Sequence, residues 1–246
     1  MNHQDWRNKK IVVVIPTYNE AENLPILIPQ LMGIAPVSVL IVDDNSPDGS
    51  GEAAERLKEQ YAPRVDVIHR IGVPRGLGLA YLDGFQRVLA GGAEIVIGMD
   101  ADLSHSPQYI PQMLDMMAQG DYDLVIGSRY IPGGGVDDAW AWQRKLLSWG
   151  AQRWARLLLG VKTRDVTGAF RCYSRRALQT LDFSRMQLDG FGFLIEIIYQ
   201  AERKGLKIGQ SPIIFHDREH GASKISIRIQ VQAMLSVVKN RFTGAR

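Results

Sequence analysis

The chain has 246 residues, 46% of them hydrophobic and 22% charged, an ordinary globular composition for one α/β domain or two small ones. A single cysteine, Cys172, excludes an internal disulfide and suits a reducing compartment. No stretch approaches the roughly 18 apolar residues of a spanning helix, and the polar start MNHQDWRNKK lacks the apolar region of a secretory signal.

Net charge is +3 but unevenly spread. Between 140 and 176, nine Lys/Arg face one acid, Asp165; between 201 and 246, nine face Glu202, Asp217 and Glu219. A positive field of this kind suits phosphates, nucleic acid or an anionic membrane surface, with a solvated basic face as the plain alternative.

In chain order, the first strand is expected at 11–15 (IVVVI) and ends in PTYNE. A helix over about 20–32 follows, with Leu24, Leu27, Ile28 and Leu31 at helical spacing and Asn19 with Glu22 as a capping box. The second strand, 37–42, ends in DDNSPDGS. There Asp43 or Asp44 can accept hydrogen bonds from a base or ribose, although residues 45–50 also read as a plain turn. A helix at 51–60, a strand at 65–68 and a helix at 76–90 come next, the last begun by RGLGLAY. That GxG is a weak phosphate signal and reads better as a loop-to-helix start beneath a nucleotide.

The fourth strand, 95–97, runs into DADLSH, and a helix at 107–119 begins with Ser106 and Pro107 as N-cap and N1. Asp100 and Asp102, two residues apart in extended chain, would share a face and offer oxygen ligands to Mg²⁺ or Mn²⁺. Apolar strand followed by Asp-x-Asp also resembles phosphatases of the haloacid dehalogenase type. Those normally carry it after their first strand, with a later acidic pair that is missing here. The fifth strand, 124–126, ends in GSRY.

Strand–helix alternation of this kind predicts a mostly parallel sheet covered on both faces, with ligands outside the carboxyl ends of the strands. Four polar strand ends on one edge look like a site for a nucleotide with a metal. Beyond 130 come the IPGGG loop, a Trp-rich helical stretch, DVTGAFRCYSRRAL, a helix near 193–204, a strand near 207–215 and FHDREHGASK. The segment 225–242 reads either as a helix or as starting in a strand.

Guanidinium groups hold phosphates through paired hydrogen bonds, and Arg129, Arg144 and Arg218, with Lys224, are candidates for that role. His105, His216 and His220 lack zinc-site spacing. Trp140, Trp142, Trp149 and Trp154 cluster with Arg144, Lys145, Arg153 and Arg156, which suits a membrane interface or a lipid-phosphate entrance as well as it suits core. No RNA-binding motif supports nucleic acid as a partner.

Taken as a set, VVVIPTYNEAENL, VDDNSPDGS, GLGLAY, MDADLSH, GSRYIPGGG, DVTGAFRCY and HDREHGASK resemble, in matching order, the dolichol-phosphate (polyprenol-phosphate) mannose synthases. Those are inverting glycosyltransferases of family 2 with the GT-A fold, an α/β fold with helices on both faces of a mostly parallel sheet. The resemblance implies a single GT-A domain over 1–246. Its nucleotide-sugar part would span about 10–130 and its acceptor part about 131–224, with 225–246 as a C-terminal, membrane-interfacial segment.

It further implies transfer of mannose from GDP-mannose to the phosphate of a polyprenol or dolichol, with Mg²⁺ or Mn²⁺ as cofactor. By motif, Pro16, Tyr18, Glu20 and Asp43 would surround the nucleotide. Asp100 would lie near the donor, and Asp102 with position 104 would hold the metal. Ser104 is shorter and weaker than the Gln of some relatives. Arg129 and Arg144, with Ser148 nearby, would grip the acceptor phosphate, and Arg218 and Lys224 would lie on a loop closing over the diphosphate. A lipid acceptor places the enzyme peripherally at the cytoplasmic face of a membrane, docked through 140–159 and 225–242, alone or with a small anchoring subunit. The rivals are a sister enzyme using another donor such as UDP-glucose, a non-catalytic nucleotide-binding module, and a sugar nucleotidyltransferase. The last needs a Gly-rich basic loop that PTYNEAEN is not.

Overall fold

The computed structural model describes residues 6–34, 36–137, 142–186 and 192–217. The expected segment 225–242, with Arg218 and Lys224, lies outside the described residues.

Strands β1 (Ile11–Thr17), β2 (Ser38–Asp43), β3 (Val65–His69), β4 (Ile95–Gly98) and β5 (Leu124–Ser128) form where the β-branched runs predicted them. With β7 (Arg171–Ser174) and β8 (Ile208–Pro212) they make one sheet in the order β3-β2-β1-β4-β7-β5-β8. All its neighbours pair in parallel except at β7, which runs antiparallel to β4 and β5. The mostly parallel sheet is therefore as expected, and β7 is an addition to it.

Period-two alternation splits β1 between two cores. Val12 and Val14 face α3 (Leu77–Ala90), α6 (Arg175–Thr180), α7 (Gly192–Arg203) and the inner side of α5 (Trp142–Leu159). Ile11, Val13 and Ile15 face α1 (Leu24–Met32), α2 (Ser50–Gln60) and α4 (Ile110–Gly120). Helices cover both faces of the sheet, and the strand ends stay open to ligands. Gly84 lets α3 lie close on the sheet, because a Cβ there would stand 2.5 Å from Val14 Cγ1.

Three local readings need correction. Asn19 and Glu22 form no capping box: α1 starts at Leu24 with Asn23 at its N-cap, and Asn19 is left-handed at φ 55°. The reason is tertiary, since the 19–21 amides are satisfied by the loop after β2 rather than by their own segment. Ser106 does precede Pro107, but they open a short 3₁₀ turn at Pro107–Tyr109 before α4, and the Ser106 side chain caps nothing. The strand expected near 207–215 is two pieces, β8 and β9 (Ile214–Phe215), the latter pairing with β6 (Gly135–Val136) as a small second sheet.

Candidate active site

The register Thr17↔Asp43↔His69 brings the ends of β1, β2 and β3 level at one edge. The loops beyond β1 and β2 then interlock. Asn19 N donates to Ser46 Oγ at 3.1 Å, Glu20 N to Ser50 Oγ at 2.8 Å and Ala21 N to Asp48 Oδ2 at 3.1 Å. Burial works against the Asp48 carboxylate, but hydrogen bonds from Ser50 and Ala21 outweigh it and hold the group below the ordinary carboxylate range.

The double acid after β2 divides its labour. Asp44 is structural: its carboxylate pairs with Arg70 and accepts Gly76 N at 2.8 Å, tying the start of α3 to β2. Arg70 is itself buried between Asp44 and Asp83 (2.6 Å) and donates to Pro74 O at 3.0 Å. Asp43 is buried next to it, accepts Ser46 N at 3.3 Å, and lies 3.5 Å from His69 Nδ1, whose Nε2 meets Glu55 at 2.8 Å. Nearby, Arg75 stacks over the Tyr18 ring at 5.0 Å and donates to its hydroxyl at 2.8 Å. Pro16 is half-buried at the end of β1.

The acid pair departs from the extended reading. β4 stops at Gly98 and Leu103 is left-handed at φ 64°, so Asp100 and Asp102 sit in a turn rather than on one strand face. Asp102 is buried and accepts both Ser104 Oγ, at 2.5 Å, and Ser104 N, at 3.2 Å. Ser104 thus fixes the carboxylate's orientation. Asp100 is anchored from beneath: its N donates to His105 Nδ1 at 3.4 Å, and that buried ring stacks on Phe170 and meets Phe215 edge-on, each at 5.2 Å.

Phe215 continues the contact toward the end of β5, where Arg129 lies over its face at 5.1 Å. Arg129 makes a fork to Asp165, with Nε and Nη2 both at 2.8 Å, and Nη2 also reaches Thr167 Oγ1 at 3.0 Å. Burial alone would lower this guanidinium's affinity for its proton, but the Asp165 charge and hydrogen bonds overcome that and raise it. Asp165 responds in kind, with burial outweighed by Arg129, so its carboxyl lies below the usual range. Ser148, on α5, bonds the Tyr130 hydroxyl at 2.6 Å.

Residues 12–182 match the family described as "Glycosyl transferase family 2". The chain belongs to glycosyl transferase family 2. Among family relatives, "Polyprenol monophosphomannose synthase" of Mycolicibacterium smegmatis is 41% identical over 97% of this chain and 91% of its own length. "Undecaprenyl-phosphate mannosyltransferase" of Micrococcus luteus is 39% identical over 94% of this chain and 93% of its own length. A solved structure, glucosyl-3-phosphoglycerate synthase of Mycobacterium tuberculosis with Mn²⁺, UDP-glucose and phosphoglyceric acid, superposes with a TM-score of 0.68. It is 19% identical, covers 95% of this chain and 81% of its own, and establishes the shared GT-A fold.

Of the residues expected in a family 2 site, Tyr18, Glu20, Asp100, Asp102, Ser104 and Arg129 belong to strand-end loops at this edge, with Pro16 near the end of β1 and Asp43 the last residue of β2. Arg144 is on α5 with its side chain outside the described residues, as are Arg218 and Lys224. Two carboxylates and a hydroxyl are hard oxygen donors that suit Mg²⁺ or Mn²⁺. Among the described residues no three acids or histidines converge on one point.

Sequence reasoning passed over Arg70, Asp165 and Tyr81. Asp165 did leave a signal, as the one acid among nine basic residues at 140–176. Tyr81 left none: its hydroxyl is buried beneath the end of β4, packed on Gly98, with no hydrogen-bond partner among the described residues. Burial, then the charge of Asp100, pushes the phenol far above its ordinary range, so it remains a donor.

Proposed function

We propose that the protein transfers mannose from GDP-mannose to the phosphate of a polyprenol with inversion, giving polyprenyl-phosphate β-mannose and GDP. The observation that carries this is the 41% identity along 97% of the chain to a polyprenol monophosphomannose synthase. The Micrococcus relative is likewise named for mannose and a polyprenyl phosphate. GDP as the nucleotide is our reading of the same likeness.

In this reading Pro16, Tyr18, Glu20 and Asp43 cradle the nucleoside. Asp43, pinned by Ser46 and His69, accepts hydrogen bonds from base or ribose. Asp100 and Asp102 take a divalent ion together with the sugar diphosphate, with Ser104 holding Asp102 in orientation. Arg129, Arg144 and Ser148 receive the acceptor phosphate, and Arg218 and Lys224 close over the departing diphosphate. The bound ion supplies charge neutralisation to the leaving group.

Inversion needs one in-line attack. An acceptor phosphate oxygen forms a bond to the anomeric carbon while the bond from that carbon to the GDP oxygen breaks, and GDP leaves with the electron pair. A phosphate monoester with a second pKa of about 6 is already ionised at neutral pH, so no general base is required. The protein's task is alignment and electrostatic stabilisation, and prepaired loops suit both.

No described helix is long and apolar enough to cross a membrane. The proposed lipid acceptor puts the enzyme peripherally at the cytoplasmic membrane face, with a small anchoring subunit as one way of holding it there. A donor panel tests the activity. Labelled GDP-mannose, UDP-glucose and GDP-glucose are each incubated with polyprenyl phosphate and Mg²⁺ or Mn²⁺, and label is counted in the lipid extract. Transfer from GDP-mannose above all others is expected; transfer from UDP-glucose alone would replace this reading with the sister activity.

A further inference from the structure

Helix α5 buries Gln152, Ala155 and Leu159 and turns its opposite side to solvent. Trp142, Leu146, Trp149 and Leu157 are exposed by 69, 58, 52 and 72%. Their spacing, with Arg153 between them, sets them on one stripe of the helix. No acid occurs anywhere along Trp142–Leu159.

Beside this stripe lies a pocket of about 290 Å³ lined by Tyr130, Trp149, Gln152, Arg153, Arg156 and Arg164. Its three guanidinium groups have no carboxylate partner among the described residues. Arg153 lies over Trp149 at 5.6 Å, and Arg156 Nη2 donates weakly to Lys162 O at 3.3 Å. Arg156 Nε is buried and has no hydrogen-bond partner there. The neighbouring acids are already engaged. Asp165 holds Arg129, and Glu202 accepts from the amides of Lys162 and Thr163 at 2.8 and 2.9 Å. A buried donor without an acceptor is costly, and three like charges around one cavity add repulsion, so the pocket is complementary to an anion.

Two features select the source of that anion. Tryptophan and leucine flanking arginines are the composition of a water–lipid boundary, which a site for a soluble anion has no need of. Residues 218–246 contain six Lys/Arg and one Glu, so that segment adds net positive charge to the chain. We infer that the Arg153–Arg156–Arg164 pocket binds the phosphate of an anionic phospholipid headgroup, docking the enzyme through a lipid that is not its substrate. This site is separate from the acceptor set of Arg129, Arg144 and Ser148, which it adjoins through Tyr130. The inference rests on the lipid-acceptor reading only for bringing the protein to a membrane.

The test is flotation of the full chain with vesicles of phosphatidylcholine alone or mixed with phosphatidylglycerol, read without any sugar transfer. Binding to the mixed vesicles is expected, weakened on the order of 100-fold in R153Q/R156Q/R164Q. A blue shift of tryptophan fluorescence in the unaltered protein on the mixed vesicles provides a readout independent of any variant's folding, and absence of both binding and shift overturns the inference. Inorganic phosphate at low millimolar concentration should not release the protein; release would make this a soluble-anion site. In detergent with a short-chain polyprenyl phosphate, the variant should keep the wild-type kcat and acceptor KM. A raised acceptor KM would assign the pocket to the substrate and overturn the inference. Arginine-dependent vesicle binding without mannosyl transfer would instead refute the proposed function and leave this site standing.

Discussion

The strand-end loops beyond β1, β2 and β3 and helix α5 treat charge in opposite ways. At the ends of β1, β2 and β3, Asp43, Asp44, Asp48, Arg70 and Asp83 are bonded to one another or to backbone amides. On α5 and the loop after it, Arg153, Arg156 and Arg164 meet no acid among the described residues. The first arrangement is rigid before any ligand arrives, which is what alignment of a nucleotide sugar requires. The second is incomplete as it stands and gains from an anion supplied from outside. Arg129 belongs with the first group despite its place beyond β5, because Asp165 fixes it.

Four substitutions break or sharpen this contrast. The largest effect is expected from Asp102→Ala, which removes the buried carboxylate proposed to hold the metal. Transfer should fall by about 1000-fold or more, and near-normal rates in saturating Mg²⁺ or Mn²⁺ would refute the metal role. Asp165→Ala strands Arg129 as a buried charge and should destabilise the fold by about 3–5 kcal/mol in urea titration. The double variant with Arg129→Ala should lose less than the two single losses summed, and simple additivity would show that the pair is not coupled.

A smaller loss, about 1–3 kcal/mol, is expected from Gly84→Ala, because the new methyl meets Val14 and pushes α3 off the sheet that carries the site. The smallest effect is expected from Arg75→Ala. It removes the stack on Tyr18 and should raise donor KM about two- to fivefold with kcat unchanged. An unchanged donor KM would exclude Arg75 and Tyr18 as a unit of the nucleotide cradle.

The strands were legible because β1, β2, β4 and β5 are buried on both faces and so are written as short β-branched runs. β7 was not, since RCYS carries a fully buried arginine whose partners are backbone groups, Val166 O in the preceding loop and Leu194 O on α7. The site's composition was readable at the strand ends; its wiring was not. Nothing local says that Asp44 serves Arg70 while Asp43 meets Ser46 and His69, or that the 19–21 amides are capped from residues 46–50. The acids of DADLSH were found, but the extended chain expected to carry them was not, because β4 stops at Gly98 and Leu103 is left-handed. Asp165 shows the other case, a partner whose isolation among basic residues was visible and whose meaning needed the fold.

The most direct test of the account is to isolate the lipid product formed from GDP-mannose and polyprenyl phosphate and determine its mass and anomeric configuration by NMR. The prediction is a polyprenyl phosphate carrying one mannose in β linkage, formed by the unaltered protein and not by the Asp102→Ala variant. An α-linked product, a sugar other than mannose on the lipid, or equal product from the variant would contradict it.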